Sequence, residues 1–273
     1  MDIVSAAASA VRSQGQRLDA IANNIANLNT VGYQSVGVSF ADTLTQVYNQ
    51  SPAVSGLPQR QTPGGSNWLG TGVYTLPWQR SFQAGAYKTT GNPLDMAVTG
   101  PGFFMVRLRN GQTGFTRAGN FALSRDPANG RFYLADAQGN FVLGANGRRL
   151  DLTNIAQSSI RTAQDGVLTG KTVQGATVRI GRLGLAFIAN PASALHSLGG
   201  DVYGLNGGFA PVTNATPAGG VALTGTVQGG TLEQSNVNLT EQMAQLVQTQ
   251  HDYNAAVEGV SIADKMAQSI ASL

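Results

Sequence analysis

Side chains able to do chemistry are few in this sequence and lie far apart. Two histidines, His196 and His251, are all that 273 residues contain. His196 sits in a turn-like stretch and His251 in a helical pattern. A serine–histidine–acid arrangement needs a nucleophile, a base and an orienting carboxylate to meet. The Gly-x-Ser-x-Gly elbow that would present such a serine is missing. There is no cysteine, no His-x-x-x-His pair and no EF-hand spacing, so no metal centre is expected. Asp126, Asp136 and Asp151 flank turns, where a short carboxylate bonds its own backbone. Only 14 Asp and Glu are present, thinly spread, and no pair suggests two acids converging in a hydrolytic cleft. Gly100-Pro101-Gly102 is not followed by Lys-Ser/Thr, so it reads as a tight turn rather than a phosphate loop. Arg117 is either a binding residue or one half of a local ion pair at a strand edge. Trp68, Trp78, Phe82 and Tyr87 are expected to anchor a connector rather than to stack a ligand. The expectation is a protein that is not an enzyme and holds no cofactor.

The elements around these residues carry more information. Charged residues make up 11% of the chain and hydrophobic ones 42%, against a charged share of about 25% in an average domain. A neutral, hydrogen-bonding surface suits a subunit packed among copies of itself. Net charge is +3, but the densest basic cluster is Arg148-Arg149, which excludes a nucleic-acid face. No segment reaches the ~18 apolar residues of a membrane span. The N-terminus carries Asp2 and an Ala/Ser run that stops at Arg12, unlike a secretory signal peptide.

Both ends are helical in pattern. Val4, Ala7, Val11, Gln14, Leu18, Ile21, Ile25 and Leu28 follow alternating spacings of three and four, the seam of a coiled coil. Leu239, Met243, Leu246, Gln250, Tyr253, Val257 and Val260 do the same at the other end. Asn236 or Asn238 is a candidate N-cap there. Beyond Val260 the stripe moves to Ile262, Met266, Ile270 and Leu273, on another face at 100° per residue. A helix with two apolar faces needs two partners. Between the ends lie short apolar runs separated by Asn110-Gly111, Asn129-Gly130, Gln138-Gly139-Asn140 and Asn146-Gly147, which are hairpin turns. Residues 51–66, rich in Pro, Gly, Ser and Gln, read as an extended connector. The fold class is therefore α+β: terminal helices pairing as a coiled coil, with a central all-β domain over roughly 71–225. The expected divisions are residues 1–33, 34–70, 71–230 and 231–273.

One stretch resists this reading. Asn23, Asn24, Asn27 and Asn29 crowd the end of the first helix, although Asn costs roughly 0.5 kcal/mol or more there against Ala. Asn23 and Asn27 point away from the seam and Asn24 flanks it, so an amide face toward other subunits is expected.

Residues 22–33, Ala-Asn-Asn-Ile-Ala-Asn-Leu-Asn-Thr-Val-Gly-Tyr, closely resemble the N-terminal signature of bacterial flagellar rod and hook proteins. Residues 91–104, from Gly91-Asn92-Pro93 to Phe103-Phe104, followed by Phe115-Thr116-Arg117-Ala118-Gly119-Asn120-Phe121, are similar to that family's central motif. Residues 235–253, from Ser235-Asn236-Val237-Asn238-Leu239 to Gln250 and Tyr253, are similar to its C-terminal signature. Length and the stretches 40–44 and 70–73 resemble the family's distal rod members. Proximal rod or hook-type members are the alternative. Two positions depart from the pattern: Gln34 replaces Lys or Arg, and Ser5 replaces an aromatic residue. The resemblance implies a structural subunit forming a helical homopolymer with other flagellar axial proteins. It implies passage unfolded through the flagellar type III export apparatus, and a place in the basal body within the cell envelope. Terminal helices would line the tube, with the β body outside. Expected assembly residues are Val11, Leu18, Ile21, Asn23, Asn24, Ile25, Asn27, Leu28, Leu239, Met243, Leu246, Tyr253, Val257, Ile262, Met266 and Ile270. A rival class with the same layout is a secreted β-domain adhesin or glycan binder trimerised by its coiled coils.

Overall fold

The computed structural model describes residues 3–42, 45–47, 68–70, 73–213 and 225–271. Two compact units divide the chain. One comprises Met1–Asn24, Val36–Gln79 and Leu239–Leu273, the other Ile25–Ser35 and Arg80–Asn238. The connector is not wholly without structure: Phe40–Asp42 pairs with Val73–Thr75, and Thr45–Val47 with Trp68–Gly70, both antiparallel. The stretch 51–66 lies outside the described residues.

The first unit holds the long helices. The N-terminal helix runs Ile3–Ala26, as its apolar spacing and freedom from proline require. Ala20 and Ile21 are buried, and Val11 and Leu18 half-buried. The C-terminal helix runs Leu239–Ala271. Its covered face is displaced from the expected seam. Gln242, Thr249 and Ala263 are buried, while Leu246, Tyr253, Ala256 and Val260 are half-buried. These seven keep heptad spacing, but Leu239, Met243, Gln250 and Val257 are exposed. Gln242 and Thr249 tolerate burial because each is bonded: Gln242 Oε1 accepts from Asn24, and Thr249 Oγ1 donates to the Gln245 carbonyl at 2.7 Å. A count of apolar residues alone follows the face left open.

The second unit is a β body. Its main sheet has nine strands among the described residues. Along the sheet, Ala122–Arg125, Phe132–Ala135, Phe141–Val142, Phe103–Arg107, Thr113–Thr116, Val202–Leu205 and Leu195–Gly199 are successive neighbours. Leu185–Phe187 joins Phe103–Arg107 and in turn pairs with Val212–Thr213. Arg161–Thr162, Val167–Lys171 and Thr177–Arg182 form a second, three-stranded sheet. The Asn-Gly turns fall at the expected positions; Gly111 at φ +83° and Gly130 at φ +69° take the left-handed backbone that such turns require. Met96, Val98, Phe104, Val106, Leu134, Val142, Leu168, Leu183 and Leu185 form the main core, almost wholly buried. A smaller cluster gathers Phe103, Phe115, Ile188 and Tyr203, with Phe82 edge-on to Phe103 and Tyr203. Of the three expected aromatic anchors whose side chains are described, only Phe82 packs this way. Trp78 and Tyr87 are exposed, and the Trp68 side chain lies outside the described residues. The chain enters and leaves the body side by side: Tyr87–Thr89 pairs with Thr231–Glu233, and Met96–Thr99 with Thr226–Gly229.

Candidate assembly site

The amide-rich helix end resolves residue by residue. Asn24 is 2% exposed. Its Nδ2 donates to the Val36 carbonyl and its Oδ1 accepts from the Val36 amide, both at 2.8 Å. One side chain thereby satisfies both backbone groups of a residue twelve positions on, as a neighbouring strand would. The same Nδ2 donates to Gln242 Oε1 at 3.0 Å, tying the two terminal helices. Asn24 therefore turns inward, to its own chain. Asn27 is half-buried and accepts from Thr30 Oγ1 at 3.1 Å, closing the turn that ends the helix. Asn23 is exposed.

Within the β body, the segment after the first helix and the segment before the last are clasped. The Gly32 amide donates to the Glu233 carbonyl at 2.9 Å, and the Asn236 amide to the Tyr33 carbonyl at 3.3 Å. Asn236 Oδ1 accepts from the Ser35 amide at 2.7 Å, and its Nδ2 donates to the carbonyls of Ser81 and Gln83. Asn236 is thus a fastener and not the N-cap of the last helix. Gly32 has φ +70°, and a Cβ there would lie 2.5 Å from the Ala118 nitrogen. No other residue fits that approach.

Arg117 lies at the centre of this junction. Its Nη1 is 3.1 Å from Glu233 Oε2, with both side chains buried. Its Nη2 donates to the Gly100 carbonyl at 3.0 Å, and the guanidinium lies 5.2 Å from the Phe103 ring centre. Glu233 Oε1 also accepts from the Gly85 amide at 3.2 Å. The ion pair spans 116 residues of sequence, so it is not local. The three signature stretches, distant in sequence, meet here through Gly32, Tyr33, Gly100, Arg117 and Asn236.

Six of the large apolar side chains left open lie on the C-terminal helix. Leu239, Met243, Val247 and Val257 are 41%, 46%, 53% and 44% exposed. At 100° per residue they share one face beside the covered one. Ile262 and Met266, also exposed, continue round the helix. Val247 falls outside the seam spacing, so the pattern of apolar residues misses it; its exposure reveals it. The Ile270 side chain and Leu273 lie outside the described residues. Ile25 and Leu28 are half-buried. His196 is exposed with Nδ1 2.8 Å from Asn206 Oδ1, and His251 is exposed on the last helix. Asp126, Asp136 and Asp151 accept from backbone amides two residues on, as turn residues do. None of these groups converges on another in a way that would do chemistry.

Two terminal helices, the second with an open apolar face, and a β body whose chain entry and exit are clasped together define a structural assembly subunit. Three family profiles match in chain order: "Flagella basal body rod protein" over residues 5–34, "Flagellar hook protein FlgE/F/G D1 domain" over 97–170, and "Flagellar basal body rod FlgEFG protein C-terminal" over 228–273. The chain is 31% identical to the flagellar basal-body rod protein FlgG of Bacillus subtilis, covering 94% of this chain and 93% of that protein. It is 31% identical to FlgG of Buchnera aphidicola subsp. Schizaphis graminum, over 96% and 95%. It is 28% identical to the flagellar hook-basal body complex protein FlhP of Bacillus subtilis, over 92% and 91%. The chain belongs to the flagellar basal-body rod protein FlgG family.

Proposed function

We propose that this chain is a structural subunit of the bacterial flagellar basal-body rod, at its distal part, and polymerises through its terminal helices into a hollow helical tube. The tube transmits torque and passes exported subunits. The supporting observation is the pair of faces on the C-terminal helix, one covered within the chain and one open through Leu239, Met243, Val247 and Val257. A helical tube needs contacts that do not close on themselves, and a two-faced helix offers them. The terminal helices pair, the last one through its covered face from Gln242 to Ala263, with Asn24–Gln242 as one fixed rung. Val11, Leu18 and Ile21 face that pairing, Ile25 and Leu28 serve assembly at the helix end, and Asn23 faces a neighbouring subunit. Other rod and hook proteins are partners above and below, and the chain reaches the envelope through the flagellar type III export apparatus. The test is a Met243→Asp/Val257→Asp variant in a strain lacking the native gene. The expected result is no rod distal to the proximal segment and no swimming, with the purified variant folded. Normal rods would overturn the reading.

A further inference from the structure

The β body carries a cleft of positive charge that the assembly reading leaves unused. Arg107 and Phe141 are register partners on adjacent strands. With Leu108, Arg109, Gly111, Gly139 and Arg149 they line a cleft of about 310 Å³. Arg149 is fixed in place: its Nη1 is 2.6 Å from Asp126 Oδ2, and its guanidinium lies 4.3 Å from the Tyr133 ring centre and 5.0 Å from that of Phe141. Asp126 is one carboxylate against three guanidinium groups. Among the described residues Arg107 donates to the Gly147 carbonyl alone, at 3.5 Å. Arg107 and Arg109 are not buried, and neither pairs with a carboxylate among the described residues.

The charge of the chain is divided in the same sense. Residues 80–238 hold 13 Lys and Arg against 7 Asp and Glu, a net +6, while the rest hold 4 against 7, a net −3. On the C-terminal helix Glu258 and Asp264 are exposed, and Lys265 is its one Lys or Arg. A guanidinium fork matches a carboxylate in two hydrogen bonds, and aromatic backing limits competing water. Opposite net charge on two parts of one chain favours a partner that is another copy, since a polymer presents the two parts to each other repeatedly.

We propose that Arg107, Arg109 and Arg149 form a receptor for a carboxylate of the C-terminal helix, Glu258 or Asp264, of a second copy of this chain. The inference rests on the rod reading above. Because every subunit carries both halves, the charges can be exchanged within one chain. In a strain lacking the native gene, Arg107→Glu/Arg109→Glu should reduce the number of complete rods seen by electron microscopy at least tenfold. Adding Glu258→Arg/Asp264→Arg to the same chain should restore the count to within about threefold of the native chain. The milder Arg107→Gln/Arg109→Gln variant should lower the count with an unchanged melting temperature, which separates assembly from folding. Normal rod counts in the Glu double variant, or no recovery in the fourfold variant, overturn the proposal. It is equally overturned if the Gln variant assembles normally but loses retention on heparin, because the cleft would then serve a polyanion. Failure of the rod reading looks different: the strain lacking the gene would still build complete rods.

Discussion

Asn24→Asp keeps size and shape but removes the donor to Val36 and Gln242, and brings a carboxylate beside a carbonyl oxygen. A buried polar group left unmatched costs about 1–3 kcal/mol, so the helical signal should melt at lower denaturant while the β body is unchanged. At the clasp, Glu233→Gln leaves the Arg117 guanidinium buried without its counter-charge. Breaking a buried ion pair from one side costs roughly 3–5 kcal/mol. Replacing both partners, Arg117→Met with Glu233→Leu, should cost less than either single change, a double-mutant cycle that urea titration can measure. Asp201 gives a pH dependence. It is 7% exposed, and burial pushes its carboxyl up to about 6 against the opposing charge of Arg80. Its folded value lies above its unfolded value of 3.8, so the folded state holds the proton more tightly. That contribution is fully present below the unfolded value and is lost as pH rises through about 6. Each tenfold difference in proton affinity between the folded and unfolded chain is worth about 1.4 kcal/mol. The native body should therefore gain on the order of 1–3 kcal/mol relative to Asp201→Asn between about pH 7.5 and about pH 4. A difference that is flat with pH would contradict this.

At the scale of elements, hydrophobic spacing locates both terminal helices and the Asn-Gly turns locate the hairpins, because each is set by residues close in sequence. The face that the C-terminal helix covers is not legible in that way. It is carried by Gln242 and Thr249, polar residues whose burial depends on bonds to Asn24 and within the helix. The partnership of Arg117 with Glu233 is hidden for a related reason: nothing local marks a pair separated by 116 residues. Gly32 is legible as a stop signal, yet its closer constraint is the backbone of residues 117 and 118. An Ala-rich helix such as Ile3–Ala26 gains most of its stability from packing, since isolated helices of this length are marginal. In the monomer, hydrogen exchange at residues 5–22 should therefore be at least tenfold faster than at residues 103–107. Equal protection would show that the helix does not wait for assembly.

On the scale of the whole molecule, the family's three signatures are one physical object. The turn after the first helix, the strand and loop around Arg117, and the residues before the last helix interlock in a single clasp. This explains why stretches so far apart share one pattern of glycine, asparagine and arginine. Next to that clasp the body is closed by two antiparallel strand pairs, Tyr87–Thr89 with Thr231–Glu233 and Met96–Thr99 with Thr226–Gly229. Both ends of the chain leave the body at neighbouring points. A load that drew the two exits apart would meet these rungs one after another, as in opening a zip. A load that carried them together would leave the rungs unstressed and act on the body as a whole. In the tube proposed above, twisting is resisted best when both exits of each subunit are held to the same wall. The buried Arg117–Glu233 pair then works as the catch that keeps the first rung from opening.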